Sequence, residues 1–197
     1  MGGSRLSAEE DHQKIEEFKA GDRSAFEFLF KKYNDRTYKL LYRLVNNKED
    51  ALDLLQVAFL KAYSSLHKFG GRGSFYTWLY RIATNVAIDF LRERGKRPKT
   101  RDLAAVEREY HTRRKETSGT APWAQMLRRE LREHVWAAVH ALPPEHKAVF
   151  LLRTVNGLPY KEIAETVHCP VGTVMSRLHY AREKIREQIL PYLRGER

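Results

Sequence analysis

Only one of the 197 residues is a cysteine, Cys169, so no disulfide can close within the chain, and the usage suits a reducing cytoplasm. No apolar run comes near the ~20 residues that a membrane-spanning helix needs. The opening residues lack the pattern of a secretory signal, and Leu6 stands where a myristoylation signal carries Ser or Thr. Sustained period-two alternation is missing as well, which argues against half-buried strands. Acidic residues are scarce relative to basic ones, 25 against 36, leaving a formal net charge of +11. An excess of that size points toward a polyanion, either nucleic acid or an anionic membrane surface. With 42% hydrophobic residues the chain can build cores, which excludes wholesale disorder. The expectation is a soluble, basic, cytoplasmic protein.

What the sequence does contain is helix signals. Ser7 with Glu10 reads as a capping box for a short first helix, closed by Gly21. Asp22 or Ser24 can cap a second, carrying Phe26, Leu29, Phe30, Tyr33, Leu40, Leu41 and Leu44 at helical spacing. Asn47 with Asp50 starts a third, with Ala51, Leu54, Leu55, Ala58, Phe59 and Ala62 inward. Lys68-Phe69-Gly70-Gly71-Arg72-Gly73 is a turn. Ser74 then caps a helix with the apolar stripe Phe75, Trp78, Leu79, Ile82, Ala83, Val86 and Phe90. Residues 8–96 form one unit on this reading. From 97 to 125 the periodicity collapses into mixed charge with Pro98, Gly119 and Pro122, a linker with a short helix near 103–110. A second helical unit spans 126–193. Pro143 and Pro144 open one of its helices and Gly157 closes it. The fold class is all-α: two small helical domains joined by a flexible charged linker.

Within the second unit, Ile163, Ala164 and Val167, then Val171, Val174 and Leu178, flank the short turn His168-Cys169-Pro170. That spacing fits a helix-turn-helix and equally an ordinary helical hairpin. The small Ala164, where two helices must approach closely, and the helix start Pro170-Val171-Gly172-Thr173 favour the first, because a helix N-terminus aims unpaired N–H groups at a phosphate. Its outward face would carry Met175, Ser176, His179, Tyr180 and Arg182 toward a major groove.

The stretch DALDLLQVAFLKAYSSLHKFGGRGSFYTWLYRIATNVAIDFLRERGKR, residues 50–97, resembles region 2 of the extracytoplasmic-function (ECF) bacterial sigma factors. Residues 127–193, through GLPYKEIAETVHCPVGTVMSRLHYAREKI, resemble region 4. The two occur in the family's order with a linker between. The resemblance implies a promoter-recognition subunit of RNA polymerase, controlled by an anti-sigma factor, and not an enzyme. It assigns Asp50, Asp53 and Gln56 to binding the β′ clamp helices of core polymerase, with Phe59 as an apolar anchor beside them. Asp50 is also simply favourable at a helix N-terminus. It places Lys61, Phe69, Tyr80 and Asn85 around a flipped base of the −10 element, where stacking and edge hydrogen bonds must repay unstacking. Tyr80 and Asn85 lie off the apolar stripe, so core packing does not account for them. Phe69 is either a wall of that pocket or a loop residue tucked under the bundle.

Arg92 begins a basic run through Arg94, Lys96, Arg97, Lys99 and Arg101, which either follows phosphates or marks the entrance to a solvated linker. Region 4 is implied to rest on the β flap and to read the −35 element through Thr173, Ser176, His179 and Tyr180. Arg177 and Arg182 are its phosphate partners or pair within the domain. Met175 stands where close relatives carry an arginine that reads guanine, so the −35 sequence does not transfer. No cofactor or metal is expected: His168 beside Cys169 has no second cysteine, and the other histidines show no ligand spacing. Two rivals remain, an operator-binding regulator with a sensing first domain and a helical adaptor that binds only protein.

Overall fold

The computed structural model describes residues 2–71, 73–96 and 122–194. Eight α-helices and one 3-10 turn (Leu66–Lys68) account for the regular structure there: α1 (Gly2–Lys19), α2 (Ala25–Val45), α3 (Lys48–Ser65), α4 (Phe75–Lys96), α5 (Pro122–His140), α6 (Pro144–Thr154), α7 (Tyr160–Thr166) and α8 (Val171–Leu193). No strand occurs among the described residues. The all-α class is as expected. The predicted helix at 103–110 and the basic residues Arg97, Lys99 and Arg101 lie outside the described residues, as does most of the 97–125 linker.

Local chemistry sets most boundaries. The Asn47 side chain accepts the Asp50 amide at 3.0 Å and starts α3. Ser74 Oγ accepts the Thr77 amide at 3.1 Å and starts α4. Before α2 the N-cap is Ser24, braced by Asp22, whose carboxylate accepts both the Ser24 hydroxyl (2.6 Å) and the Ser24 amide (2.9 Å). Those bonds hold the Asp22 carboxyl below its ordinary value. Asn46, at φ 53°, closes α2 by donating its amide to the Tyr42 carbonyl, a left-handed cap that asparagine tolerates. Two boundaries differ from expectation. Ser7 lies inside α1, which begins at Gly2, so Ser7 with Glu10 marks no helix start. The second unit begins by Pro122, a residue favourable in a first helical turn, rather than at 126.

An aromatic knot joins the first three helices. Phe18 of α1 and Phe26 of α2 each meet Tyr63 of α3 edge-on at 5.1 Å, and Phe59 meets Phe30 at 4.7 Å. Beside it Asp11, buried, accepts the Tyr33 hydroxyl and Lys32 Nζ. Burial, with Asp11 second, pushes the Tyr33 phenol up. The second half packs α5, α6 and α7 on α8 through Val139, Leu151, Leu152, Ile163, Val174, Leu178 and Ala181, all buried.

The helix that organises the whole is α4. One of its sides packs on α2 and α3; another packs on α6 and α7 of the second half. Phe75, Leu79, Tyr80, Ala83, Val86, Ala87 and Ile88 are therefore all buried, far more than one amphipathic stripe supplies.

Candidate nucleic-acid interface

Helices α7 and α8 are joined by four residues, Val167–Pro170. Val167 caps α7 by donating its amide to the Ile163 carbonyl (2.9 Å), and the Cys169 amide donates to the Ala164 carbonyl (3.0 Å). Between them His168 sits at φ 51°, the left-handed position that usually takes glycine. Buried Ala164 lets the two helices close on Val174 and Leu178. These contacts make the helix-turn-helix rather than a plain hairpin. At the start of α8 the Thr173 and Val174 amides reach the Pro170 carbonyl (2.9 and 3.2 Å).

Val174, Leu178, Ala181 and Ile185 face inward, which turns Met175, Ser176, His179, Tyr180 and Arg182 to solvent. Thr173 and Arg177 are half-buried at the flank. The Thr173 carbonyl accepts the Ser176 hydroxyl at 3.0 Å, so Ser176 has a lone pair outward for another donor. Tyr180 rests on the ring of His146 at 4.6 Å.

On α3 the residues expected to meet polymerase share one open face. Asp53 and Gln56 are exposed, with Leu52, Val57 and Leu60 around them, Leu60 most of all at 69%. Asp50, half-buried at the first turn, accepts Arg94 Nη1 from α4. Phe59 is not the apolar anchor: it is buried against Phe26 and Phe30. Sequence reasoning passed over Leu60 because it falls off the core stripe, which was itself the signal: with Leu52 and Val57 it leaves an apolar patch on a face that the core does not use.

The four residues placed around the −10 base, together with Arg92 at the head of the basic run, are not gathered on one open surface. Lys61 is exposed on α3. Phe69 is buried, 5.4 Å from Trp78 and 6.3 Å from Phe75, which is the tucked-under alternative. Tyr80 is 2% exposed, its hydroxyl donating to the Arg36 carbonyl at 3.1 Å and its ring 4.1 Å from Tyr76. Burial, with Tyr76 second, pushes its phenol up. The expectation that core packing does not account for Tyr80 is thus corrected: it lies off the predicted stripe but is buried against α2. Asn85 and Arg92 line a cleft of about 390 Å³ between the two halves, with Ile88, Asp89, Glu145, Val167 and His168.

Across that cleft the halves are joined by polar contacts. Arg92 Nε donates to Glu145 Oε1 (2.7 Å) and Asn85 Nδ2 to His168 Nε2 (3.3 Å). Nearby, Thr77 Oγ1 donates to Glu162 Oε2 (3.2 Å), and Lys147 Nζ to the Leu44 carbonyl in the last turn of α2 (3.3 Å). Burial is the largest single influence on the Glu145 carboxyl and raises it, but the Arg92 bond, a backbone amide and the charges of Arg92 and Arg177 together hold the carboxyl below its ordinary value. Lys147 is 6% exposed, and burial pulls its ammonium down to about 8. His140, half-buried near that charge, falls to about 4, desolvation being the larger cause. No pattern in the sequence marks Glu145, Lys147 or His168 as bridging residues, because each sits at an ordinary helix-start or turn position.

These two linked helical units, one ending in a helix-turn-helix, define a promoter-recognition class, and comparison with known proteins agrees. The family description Sigma-70 region 2 matches residues 29–97, and Sigma-70, region 4 matches residues 132–185. RNA polymerase sigma-H factor of Pseudomonas aeruginosa is 40% identical over 193 residues, covering 96% of this chain and 98% of that protein. ECF RNA polymerase sigma-E factor of Escherichia coli (strain K12) is 40% identical over 189 residues, covering 93% and 96%. Among solved structures, CnrH in complex with the cytosolic domain of CnrY superposes with a TM-score of 0.61 at 20% identity, covering 91% of this chain and 97% of that one. The sigma factor RpoE of Bartonella quintana, in complex with the anti-sigma factor NepR, gives 0.60 at 21%, covering 83% and 96%. The chain belongs to the ECF sigma factors of bacterial RNA polymerase.

Proposed function

We propose that this chain docks on core polymerase through the face Asp50, Asp53, Gln56 and Leu60, and directs it to promoters by dividing the reading between its halves. Residues 8–96 take the −10 element and its melted strand, with Lys61, Asn85 and Arg92 as the accessible contacts and Phe69 and Tyr80 as the packing that holds α4 and the glycine loop. Residues 122–193 take the −35 duplex through Thr173, Ser176, Arg177, His179, Tyr180 and Arg182. The observation that carries the reading is the outward face of the first half of α8, with Ser176, His179 and Arg182 in water, seated on a helix-turn-helix in a chain that also carries region 2.

Off polymerase the halves close on each other, as Arg92–Glu145 and Asn85–His168 support. In that state two −10 contacts are already engaged, so promoter capture requires the halves to part. The relatives in complexes with CnrY and NepR support an anti-sigma partner for this chain too, one that holds it away from polymerase. Its site of action is the cytoplasm, beside the polymerase.

Abortive transcription on a cognate promoter tests the whole. Purified core polymerase should make short transcripts only when this chain is added. Specific promoter binding by the chain alone, with no gain from core polymerase, would overturn the reading in favour of an operator-binding regulator.

A further inference from the structure

Two apolar side chains stand open at the reading end of α8. Met175 is 55% exposed and Val171 38%. They are four residues apart, hence on one ridge of the helix, and they lie within its first turn and a half. In a helix-turn-helix that end of the second helix reaches the base edges, while later turns run past the backbone. The same edge continues into His179 and Arg182, both exposed. On the opposite edge Arg177 lies close enough to Glu145 to lower its carboxyl, and Tyr180 rests on His146, so those two are partly occupied by α6.

Methionine brings no donor and only a weak acceptor, but three rotatable bonds and a polarisable sulfur. The major groove has one apolar feature for it to meet, the C5-methyl group of thymine. We infer that Met175, backed by Val171, reads a thymine methyl group in the −35 element, and that this contact sets the promoter preference of the chain. The inference rests on α8 being the duplex-reading helix and adds what that helix selects. Gly172, with open space where a Cβ would stand, allows the backbone at the helix start to come near the strand, and Ser176, His179 and Arg182 fix the register beside it.

The test uses holoenzyme assembled from core polymerase and the full chain. Promoter duplexes with a randomised −35 element are selected for binding, and each selected thymine is then replaced by deoxyuridine, which removes the methyl group alone. One such replacement should weaken binding by about 3- to 5-fold, the effect of uncovering a single methyl group. Met175→Ala holoenzyme should bind the thymine and deoxyuridine duplexes equally, and Met175→Arg should select guanine at that position. The side chain is exposed, so neither variant disturbs the core. Deoxyuridine tolerated at every selected thymine, an equal penalty in Met175→Ala, or no thymine selected would each overturn the inference. Selection at −35 without methyl dependence leaves α8 as the reader and removes only the role of Met175. Absence of any −35 selection removes both.

Discussion

The two halves hold their working surfaces in different states. In the second half, Ser176, His179 and Arg182 are in water and need no rearrangement to meet a duplex. In the first half, Asn85 and Arg92 are bonded to His168 and Glu145, while Tyr80 and Phe69 are inside the core. The helix-turn-helix is ready; the strand-capturing side is occupied, and what occupies it is the other half of the same chain. On the proposed assignment, packing alone would put reading of a closed duplex before capture of an opened strand.

The largest expected effect separates docking from reading. Leu60→Asp places a charge in the middle of the apolar patch on α3 and should weaken binding to core polymerase about 30-fold or more, on the order of 2 kcal/mol for a central contact. Isothermal titration or competition against another sigma factor measures it, and unchanged affinity would remove α3 as the docking face.

Next comes Lys147, the buried cation between the halves. In the closed form it gives up its proton near 8; once the halves part, its ordinary value is 10.5. Between those values the open form holds a proton that the closed form has released, so raising the pH from 8 to 10 should favour closure. Small-angle scattering across that window should show contraction, and Lys147→Met should abolish the pH response while keeping the compact shape. His140 acts at the other end of the scale. Its folded value near 4 lies below the ordinary 6.5, so stability should fall as the pH drops from 6.5 toward 4. His140→Phe should flatten that slope in chemical denaturation.

A smaller change follows from Glu145→Gln, which weakens a bridge whose arginine is half in water. The shift toward the open form should be under about 1 kcal/mol and shrink further at high salt. Crosslinking yield between the halves reports it. The smallest is His168→Gly, which relieves the left-handed turn by about 0.5–1 kcal/mol and removes the Asn85 contact. The second half should melt slightly higher while the halves separate more readily; a change in one direction only would mean that the contact across the cleft carries nothing.

Much of this was legible in the residues. Period-3.6 patterning and the start signals at Asn47, at Asp22 or Ser24, and at Ser74 located the helices, and the His168–Pro170 turn with Ala164 located the helix-turn-helix. What the pattern could not give is a helix with two partners. A stripe through Phe75, Leu79 and Val86 predicts one buried side for α4, and the burial of Tyr80 and Ile88 follows from long-range packing that no local window contains. The same blindness hid Lys147, whose position in the first turn of α6 reads as a solvated surface charge. Leu60 was passed over for the opposite reason, because a search for core residues discards an apolar side chain that the core does not use.

Ile88 and Val167 share the cleft between the halves, so any opening wets hydrocarbon that closure keeps dry. Exposing such surface raises the heat capacity, and the drive to keep it dry weakens as water cools. Opening as proposed should therefore carry a thermal signature, becoming easier in the cold and harder on warming.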